Sequence, residues 1–359
     1  MNGRLAIAGE VWSRNLGDPL LHHCLRHLVR AAGADSASID FDARDAFPRR
    51  SGTGHDRQLP APLRAAAWWG MRWPRRRGAW SRQFAGCSAL LLGGGQVLDP
   101  AGMRFPPRLA ALGALARAHG LPLALACCGV SPGWDAIAQL HLAALPRPAA
   151  VLLRDADSAA ILSALRPDWP AATVAPDPAV WAGAAYGIAA ERGPQAAIGL
   201  GIGGALREPA WWAAVVHRLR EAGRDPLLFC NGSDADAADL AAVARVTGAV
   251  AAAPPETPAE LMRLLAGCSA VLSGRMHAGI AAFSLGIPAL APPGLAKAAA
   301  FWRTVGLPQR VLAGADPQLV ATRLVALSDE PSDPAGLLDA AQAACAEAVS
   351  ALVAACRRG

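Results

Sequence analysis

Arg275 and His277 stand two residues apart in Ser273-Gly274-Arg275-Met276-His277, between a short apolar run and a helical pattern. On such a turn both side chains can enter one pocket, which sets a planar cation for a carboxylate or phosphate beside a group that titrates near neutrality. The same pattern also fits a helix-start arginine in a surface ion pair with a capping histidine. Downstream, Lys297 is the only lysine in a chain that otherwise writes arginine at its cationic positions, so a compact ammonium is a plausible requirement there. Asp18 closes Ser13-Arg14-Asn15-Leu16-Gly17-Asp18 ahead of Pro19. It is either the N-cap of a helix or a cleft carboxylate acting as general base or holding a sugar hydroxyl. Gly93-Gly94-Gly95 follows an apolar run and either lets a ligand approach the backbone or makes a tight turn. Gly199-Leu200-Gly201-Ile202-Gly203-Gly204 matches GxGxxG, but the next strand ends in Asn231 where a dinucleotide fold needs an acid. No spacing of His, Cys or carboxylates suggests a metal site.

The elements that must position these residues follow an α/β rhythm. LAIAGEV (5–11), ALLLGGG (89–95), LPLALACC (121–128) and AVLLRD (150–155) precede helical patterns at 19–32, 107–119, 135–145 and 156–166. Fully apolar strands separated by helices predict a parallel sheet. A second series begins with AAIGLGIGG (196–204), PLLFCNG (226–232), SAVLSG (269–274) and IPALA (287–291), with helices at 208–222, 234–246, 257–267 and 277–285. The Pro, Gly and Ala-rich break at 176–195 places a linker near 183–195. Two Rossmann-like domains facing a cleft are therefore expected: 1–185, 193–333, and a closing helix within 334–359. Ligands of such sheets sit beyond the strand ends, at helix N-termini. Residues 42–88 show no regular pattern.

A chain of 359 residues with 53% apolar and 17% charged positions is long enough for two packed cores and excludes a fibre or a disordered tail. The net charge of +6 is modest, and its whole excess lies in 64–82, which holds six arginines, no acid, and Trp68, Trp69, Trp73 and Trp80. That composition fits either an anionic membrane surface or a buried aromatic helix with an exposed basic edge. Nucleic acid is not expected. Eight scattered cysteines without CxxC pairs, and no leader-like apolar run at the start, suggest a reduced cytoplasmic protein, at most peripheral to the inner membrane face.

Taken in order, Asn15-Leu16-Gly17-Asp18, Gly93-Gly94-Gly95, Gly129-Val130-Ser131-Pro132, Arg154-Asp155-Ala156-Asp157-Ser158, Pro176-Asp177-Pro178, the Arg275 to His277 segment with Gly286-Ile287-Pro288, and Lys297 resemble the polysaccharide pyruvyl transferase family. Trp-Ser-Arg before Asn15 departs from the glycine usual there, and 42–88 matches nothing in that family. The resemblance implies a fold like the GT-B glycosyltransferases and a pyruvyl transfer from phosphoenolpyruvate, as co-substrate without a further cofactor, onto a sugar that is lipid-linked. The first domain would be the acceptor side, with Asn15, Gly94 and Gly95 binding the sugar. The second would be the donor side, with Arg275, Lys297, Gly201 and Gly203, joined by Arg154 from the first, holding phosphoenolpyruvate. His277 would donate the proton to carbon and Asp18 would be the base. The alternatives are a nucleotide-sugar glycosyltransferase of the same architecture, whose diphosphate the same cations would clamp, and a non-catalytic saccharide-binding relative.

Overall fold

Leu5 and Ile7 are fully buried in one apolar cluster, Ala6 and Ala8 in another. A strand buried on both faces belongs inside a parallel sheet covered by helices. The computed structural model, which describes residues 3–49, 60–191, 196–204, 208–329 and 336–358, has that arrangement. The first part of the chain runs β1 (Arg4–Gly9), α1 (Gly17–Ala31), β2 (Ser36–Asp40), α2 (Ala61–Ala67), a π turn at Trp68–Arg72, α3 (Trp73–Phe84), β3 (Cys87–Leu98), α4 (Pro106–Ala118), β4 (Leu123–Val130), α5 (Ala136–Ala143), β5 (Ala150–Leu153), α6 (Ala156–Leu165) and β6 (Thr173–Val174). Its sheet is ordered β2-β1-β3-β4-β5-β6 with every pair parallel.

After α7 (Ala182–Tyr186) come β7 (Ala197–Ile202), α8 (Pro209–Glu221), β8 (Pro226–Cys230), α9 (Asp234–Thr247), α10 (Pro258–Ala266), β9 (Cys268–Ser273), α11 (Met276–Ser284), β10 (Ala289–Leu290), α12 (Ala296–Thr304), α13 (Pro317–Asp329) and α14 (Leu337–Arg358). The second sheet is ordered β10-β9-β7-β8, again parallel. Chain order reverses between β1 and β3 in one sheet and between β7 and β9 in the other, and such switch points open crevices at the strand ends. The helix α14 has a mean hydropathy of 1.4, and its length and composition would suit a membrane span. Its Cys345, Val349, Leu352 and Val353 instead lie in the core that also holds α1 and α11. That shared core joins the two sheets, and the Gly183 N–H donates to Ser284 Oγ at 3.1 Å across the same seam.

Residues 61–84, without a recognisable pattern in the sequence, are helical. Trp68 and Trp80 are buried, the rings of Trp68, Trp69, Trp73 and Trp80 pack edge to face or stacked, and Trp80 Nε1 donates to the Asp40 carbonyl at 2.9 Å. The tryptophans that an interfacial belt would present outward therefore point inward, because burying rings of this size stabilises the core more than a rim position does. The outward face carries Arg72, Arg75, Arg77 and Arg82 with exposed Leu63 and Met71.

Arg76, by contrast, turns in to Asp42 at 2.8 Å, where Arg108 of α4 arrives at the same carboxylate oxygen, also at 2.8 Å, and Arg44 pairs with the other. Arg44 Nη1 donates to the Trp12 carbonyl at 2.9 Å, so one carboxylate fastens α3 and α4 to the loop that leads into Asn15. Burial would raise the Asp42 carboxyl, but Arg108, Arg44 and Arg76 outweigh it and hold it well below its ordinary value of 3.8. A depressed carboxylate contributes stability above the ordinary pKa and loses it as pH falls through the folded value. Asp42→Asn is expected to cost about 2 kcal/mol in urea unfolding at neutral pH, with the gap to the parent narrowing on acidification. A gap that stays constant with pH would show that the charge is not what holds these elements.

Candidate active site

Residues just beyond, or at, the carboxyl ends of six strands converge on one cavity of about 50 Å³. Asn15 and Asp18 come from the β1 side, Gln96 from β3, Arg154 from β5, Asn231 from β8, Arg275, Met276 and His277 from β9, and Lys297 from β10. Five sequence-derived candidates, Asp18, Arg154, Arg275, His277 and Lys297, thus meet, and Asn15 joins them.

His277 sits in the first turn of α11 with its ring almost buried. Its Nε2 lies 3.6 Å from Oδ2 of Asp177 and has no hydrogen-bond partner. Asp177 has no exposed surface; it accepts from the Ala179 N–H at 3.0 Å and from Arg154 Nη1 at 3.4 Å. Burial pushes its carboxyl up, yet the His277 imidazole, the Arg154 guanidinium and the Ala179 N–H together hold it below the usual range. Arg154 also donates to Gln96 Oε1, while its Nε makes no hydrogen bond and stands 3.6 Å from Asp155. The ring of His277 is seated against α1 at Gly17, where a Cβ would come within 2.6 Å of its Cβ and 2.7 Å of its Nδ1.

Arg275 is less free than its position in the sequence suggests. Its Nε and Nη2 donate to the two oxygens of Asp236, at 3.0 and 2.6 Å, and Asp236 is fully buried. This is a bidentate pair, and it leaves one guanidinium edge for the cavity. Gly203, at φ +109°, is required by Asp236, whose Oδ1 would lie 2.4 Å from a Cβ there. Gly201 likewise makes room for Ser273 and Phe229. Neither glycine lines the cavity, so both support Arg275 and its neighbours from behind and do not touch a donor.

Asp18 is in the first turn of α1, not its N-cap, which is Leu16. Its Oδ2 accepts from Ser13 Oγ at 3.1 Å and Asn15 Nδ2 at 3.0 Å. Asn15 Oδ1 in turn accepts from Asn231 Nδ2 at 2.8 Å, and the Leu16 N–H bonds the Asn231 carbonyl at 3.0 Å, tying the first sheet's loop to the second sheet. Gly94 and Gly95 are not a turn: β3 runs on to Leu98, Gly94 lies under Leu21 and His22 of α1, and Gly95 faces both Leu21 and Asp18 Oδ1, each 3.8 Å from where a Cβ would stand, while neither is in the cavity lining. Gln96, one residue on, is what reaches the cavity. Lys297, exposed at the rim, makes no hydrogen bond or ion pair among the described residues. Crowding by the surrounding protein, then Arg154 and Arg275, hold its ammonium below the ordinary lysine value. The sequence carried weak signals for the missed partners: Asp177 lies in Pro-Asp-Pro, Asn231 stands where an acid was sought, and Asp236 reads as a helix start. Among the described residues no three His, Cys, Asp or Glu side chains are grouped as a metal site.

The family model for polysaccharide pyruvyl transferase matches residues 15–291, a span that includes every cavity residue except Lys297. The chain belongs to the polysaccharide pyruvyl transferase family. That is a family of transferases, which supports an enzyme. A search of curated proteins finds no match. In fold the chain is similar to nucleotide-sugar enzymes of the GT-B kind. The UDP-GlcNAc 2-epimerase of Methanocaldococcus jannaschii, solved with UDP-GlcNAc and UDP, gives a TM-score of 0.58 at 8% identity over 99% of both chains. The UDP-GlcNAc 2-epimerase of Neisseria meningitidis bound to UDP-GlcNAc gives 0.57 at 10% over 99% of both. UGT89C1 of Arabidopsis thaliana complexed with UDP gives 0.55 at 11%, again over 99% of both. At such identities the likeness concerns the fold.

Gly17→Ala tests the seat of His277. A Cβ 2.6 Å from His277 Cβ cannot be relieved by turning the ring alone, so α1 and α11 must part: the variant is expected to fold but to melt several degrees below the parent, with the His277 ring resonances shifted in NMR spectra as the imidazole leaves Asp177. Unchanged resonances would show that the ring is positioned by something other than its contact with α1.

Proposed function

We propose that this member of the family moves the pyruvyl group of phosphoenolpyruvate onto two hydroxyls of a sugar as a ketal, during assembly of a cell-surface polysaccharide. The observation that carries this is an unpartnered Lys297 facing Arg154 and Arg275 in a cleft that also holds an imidazole and a carboxylate. Three cationic side chains gather at this cavity, and a phosphate-bearing carboxylate would relieve their mutual repulsion.

Ketal formation needs two additions at one carbon. A sugar hydroxyl adds at C2 while C3 takes a proton, and a second hydroxyl then displaces phosphate at C2. Each hydroxyl loses a proton, and phosphate leaves with its electron pair. Lys297 and the free edge of Arg275 would hold the phosphate and carboxylate, with the charge of Arg154, itself engaged by Asp177 and Gln96, behind them. His277 would give the proton to C3, its ring held by Asp177 on one side and Gly17 on the other. Asp18, with Ser13 and Asn15 fixing one oxygen, keeps the other for a hydroxyl proton. Because Arg275 balances a fully buried Asp236, its removal would unfold as well as weaken binding. Lys297 is the cleaner probe. The sugar is proposed to be lipid-linked, with the enzyme working in the cytoplasm at the membrane's inner face and the outward arginines of α3 and its π turn meeting anionic headgroups.

Two sets of measurements test this. Phosphoenolpyruvate at millimolar concentration is expected to raise the melting temperature; a melt shifted only by a nucleotide diphosphate sugar would favour the glycosyltransferase alternative. Lys297→Met should weaken phosphoenolpyruvate binding roughly 10-fold to 100-fold by calorimetry, whereas His277→Ala should leave binding nearly intact and lower phosphate release roughly 10²-fold to 10⁴-fold. Loss of binding in His277→Ala, with turnover kept at saturation, would make the histidine a binding group.

Vesicle binding examines the membrane part. Adsorption to phosphatidylserine vesicles should fall with salt, and the triple variant Arg72→Ser, Arg75→Ser, Arg77→Ser, which spares Arg76 and its pair with Asp42, should lower it by about 100-fold at about 1 kcal/mol per charge. Equal adsorption of variant and parent at low salt would sink the idea.

A further inference from the structure

The cleft does not end at Lys297. A larger cavity of about 460 Å³ opens beyond it, sharing Gln96 and Lys297 with the first, and this is within the range of about 300 to 1,000 Å³ usual for small-molecule sites. Ile161, Leu295 and Pro132 supply apolar surface, and Asp99, Asp155 and Ser131 supply polar groups among them. Such a mixed lining suits a pyranose ring, which has both C–H faces and a rim of hydroxyls. The acceptor positions expected from the sequence do not compete for it: Asn15 is committed to Asp18 and Asn231, and Gly94 and Gly95 lie beneath α1.

We propose that this second cavity is the acceptor subsite and that it takes a neutral pyranoside; this rests on the pyruvyl-transfer proposal above. Asp99 gives one oxygen to the Ala101 N–H at 3.0 Å and keeps the other. Asp155 spends one oxygen capping α6, on the Ser158 N–H at 2.7 Å, and holds the other 3.6 Å from Arg154 Nε. Both remaining oxygens can accept from hydroxyls, and with Asp157 the cavity sets three carboxylates against the single ammonium of Lys297, so a uronic acid meets a net like charge. Gln96 bridges the two cavities, with Oε1 on Arg154 and Nε2 donating to Ser131 Oγ at 3.0 Å. A ring seated here presents its hydroxyl pair past Gln96 and Lys297 to the donor carbon.

Saturation-transfer NMR with methyl glucoside, methyl galactoside and methyl glucuronide, on the parent, Ile161→Trp and Asp99→Asn, tests the assignment. Ile161→Trp fills the cavity and Asp99→Asn keeps its shape, so a failure of the first to fold leaves the second. The parent is expected to show saturation transfer to a neutral glycoside and none to the glucuronide. Ile161→Trp should lose that signal while keeping its melt shift with phosphoenolpyruvate, and Asp99→Asn should weaken the neutral glycoside about tenfold and admit the glucuronide. Undiminished neutral-glycoside signals in both folded variants, a parent that prefers the glucuronide, or a parent that binds none of the three overturns the subsite. If phosphoenolpyruvate never shifts the parent's melt yet the glycoside signals respond as expected, the donor assignment falls and the saccharide subsite stands.

Discussion

Asp177 is a carboxylate with no exposed surface, and three separate stretches of chain are arranged around its charge. An isolated buried carboxylate would be far too costly to keep ionised, so it must be paired. Arg154 reaches it from the end of β5 and His277 from the start of α11, while Asp177 itself lies on the segment that leaves the first sheet. Satisfying that one group sets the ends of both sheets face to face. The remainder of the cleft follows from the same constraint, since Asp18, Lys297 and Arg275 are near enough to act together only while those ends stay in register.

A second buried carboxylate, Asp236, does for Arg275 what Asp177 does for His277. His277 and Arg275 are thus each backed by an acid that solvent does not reach, and Asp236 occupies space that Gly203 leaves open. Lys297 has no such backing, and the charge imbalance falls there. The cleft is accordingly poor in internal partners at the one point where an anion would enter. The solved structures of similar fold that carry UDP or UDP-GlcNAc share the architecture with this chain, and at their low identity the likeness concerns the fold alone.

Much of this architecture is legible in the residues. The apolar strands from LAIAGEV to IPALA stand where parallel strands form, because burial on both faces leaves an unbroken run that few other elements need. The short edge strands Ser36–Asp40 and Thr173–Val174 were not legible: half-exposed and brief, they carry no such run. Residues 61–84 concealed their helices because Trp, Arg, Pro and Gly follow no clean apolar period, and what holds them is the burial of Trp68 and Trp80 in the first sheet's core and the bond from Trp80 to the Asp40 carbonyl.

The sequence by itself determined the strand-helix alternation, the family, and the residue types that gather in the cleft, since each is local or is written in ordered short motifs. Only the tertiary structure decided which of those residues are free. Arg275 looked like an open anion clamp until Asp236 was placed on two of its nitrogens, Gly94 and Gly95 looked like a ligand loop until β3 continued through them, and Asp177 and Gln96 had no role until they touched Arg154. The physical reason is that pairing and burial depend on distance in space. Groups 23 to 58 residues apart along the chain, such as Arg154 with Asp177 and with Gln96, meet only in the folded first sheet, and His277 meets Asp177 only where the second sheet packs against it.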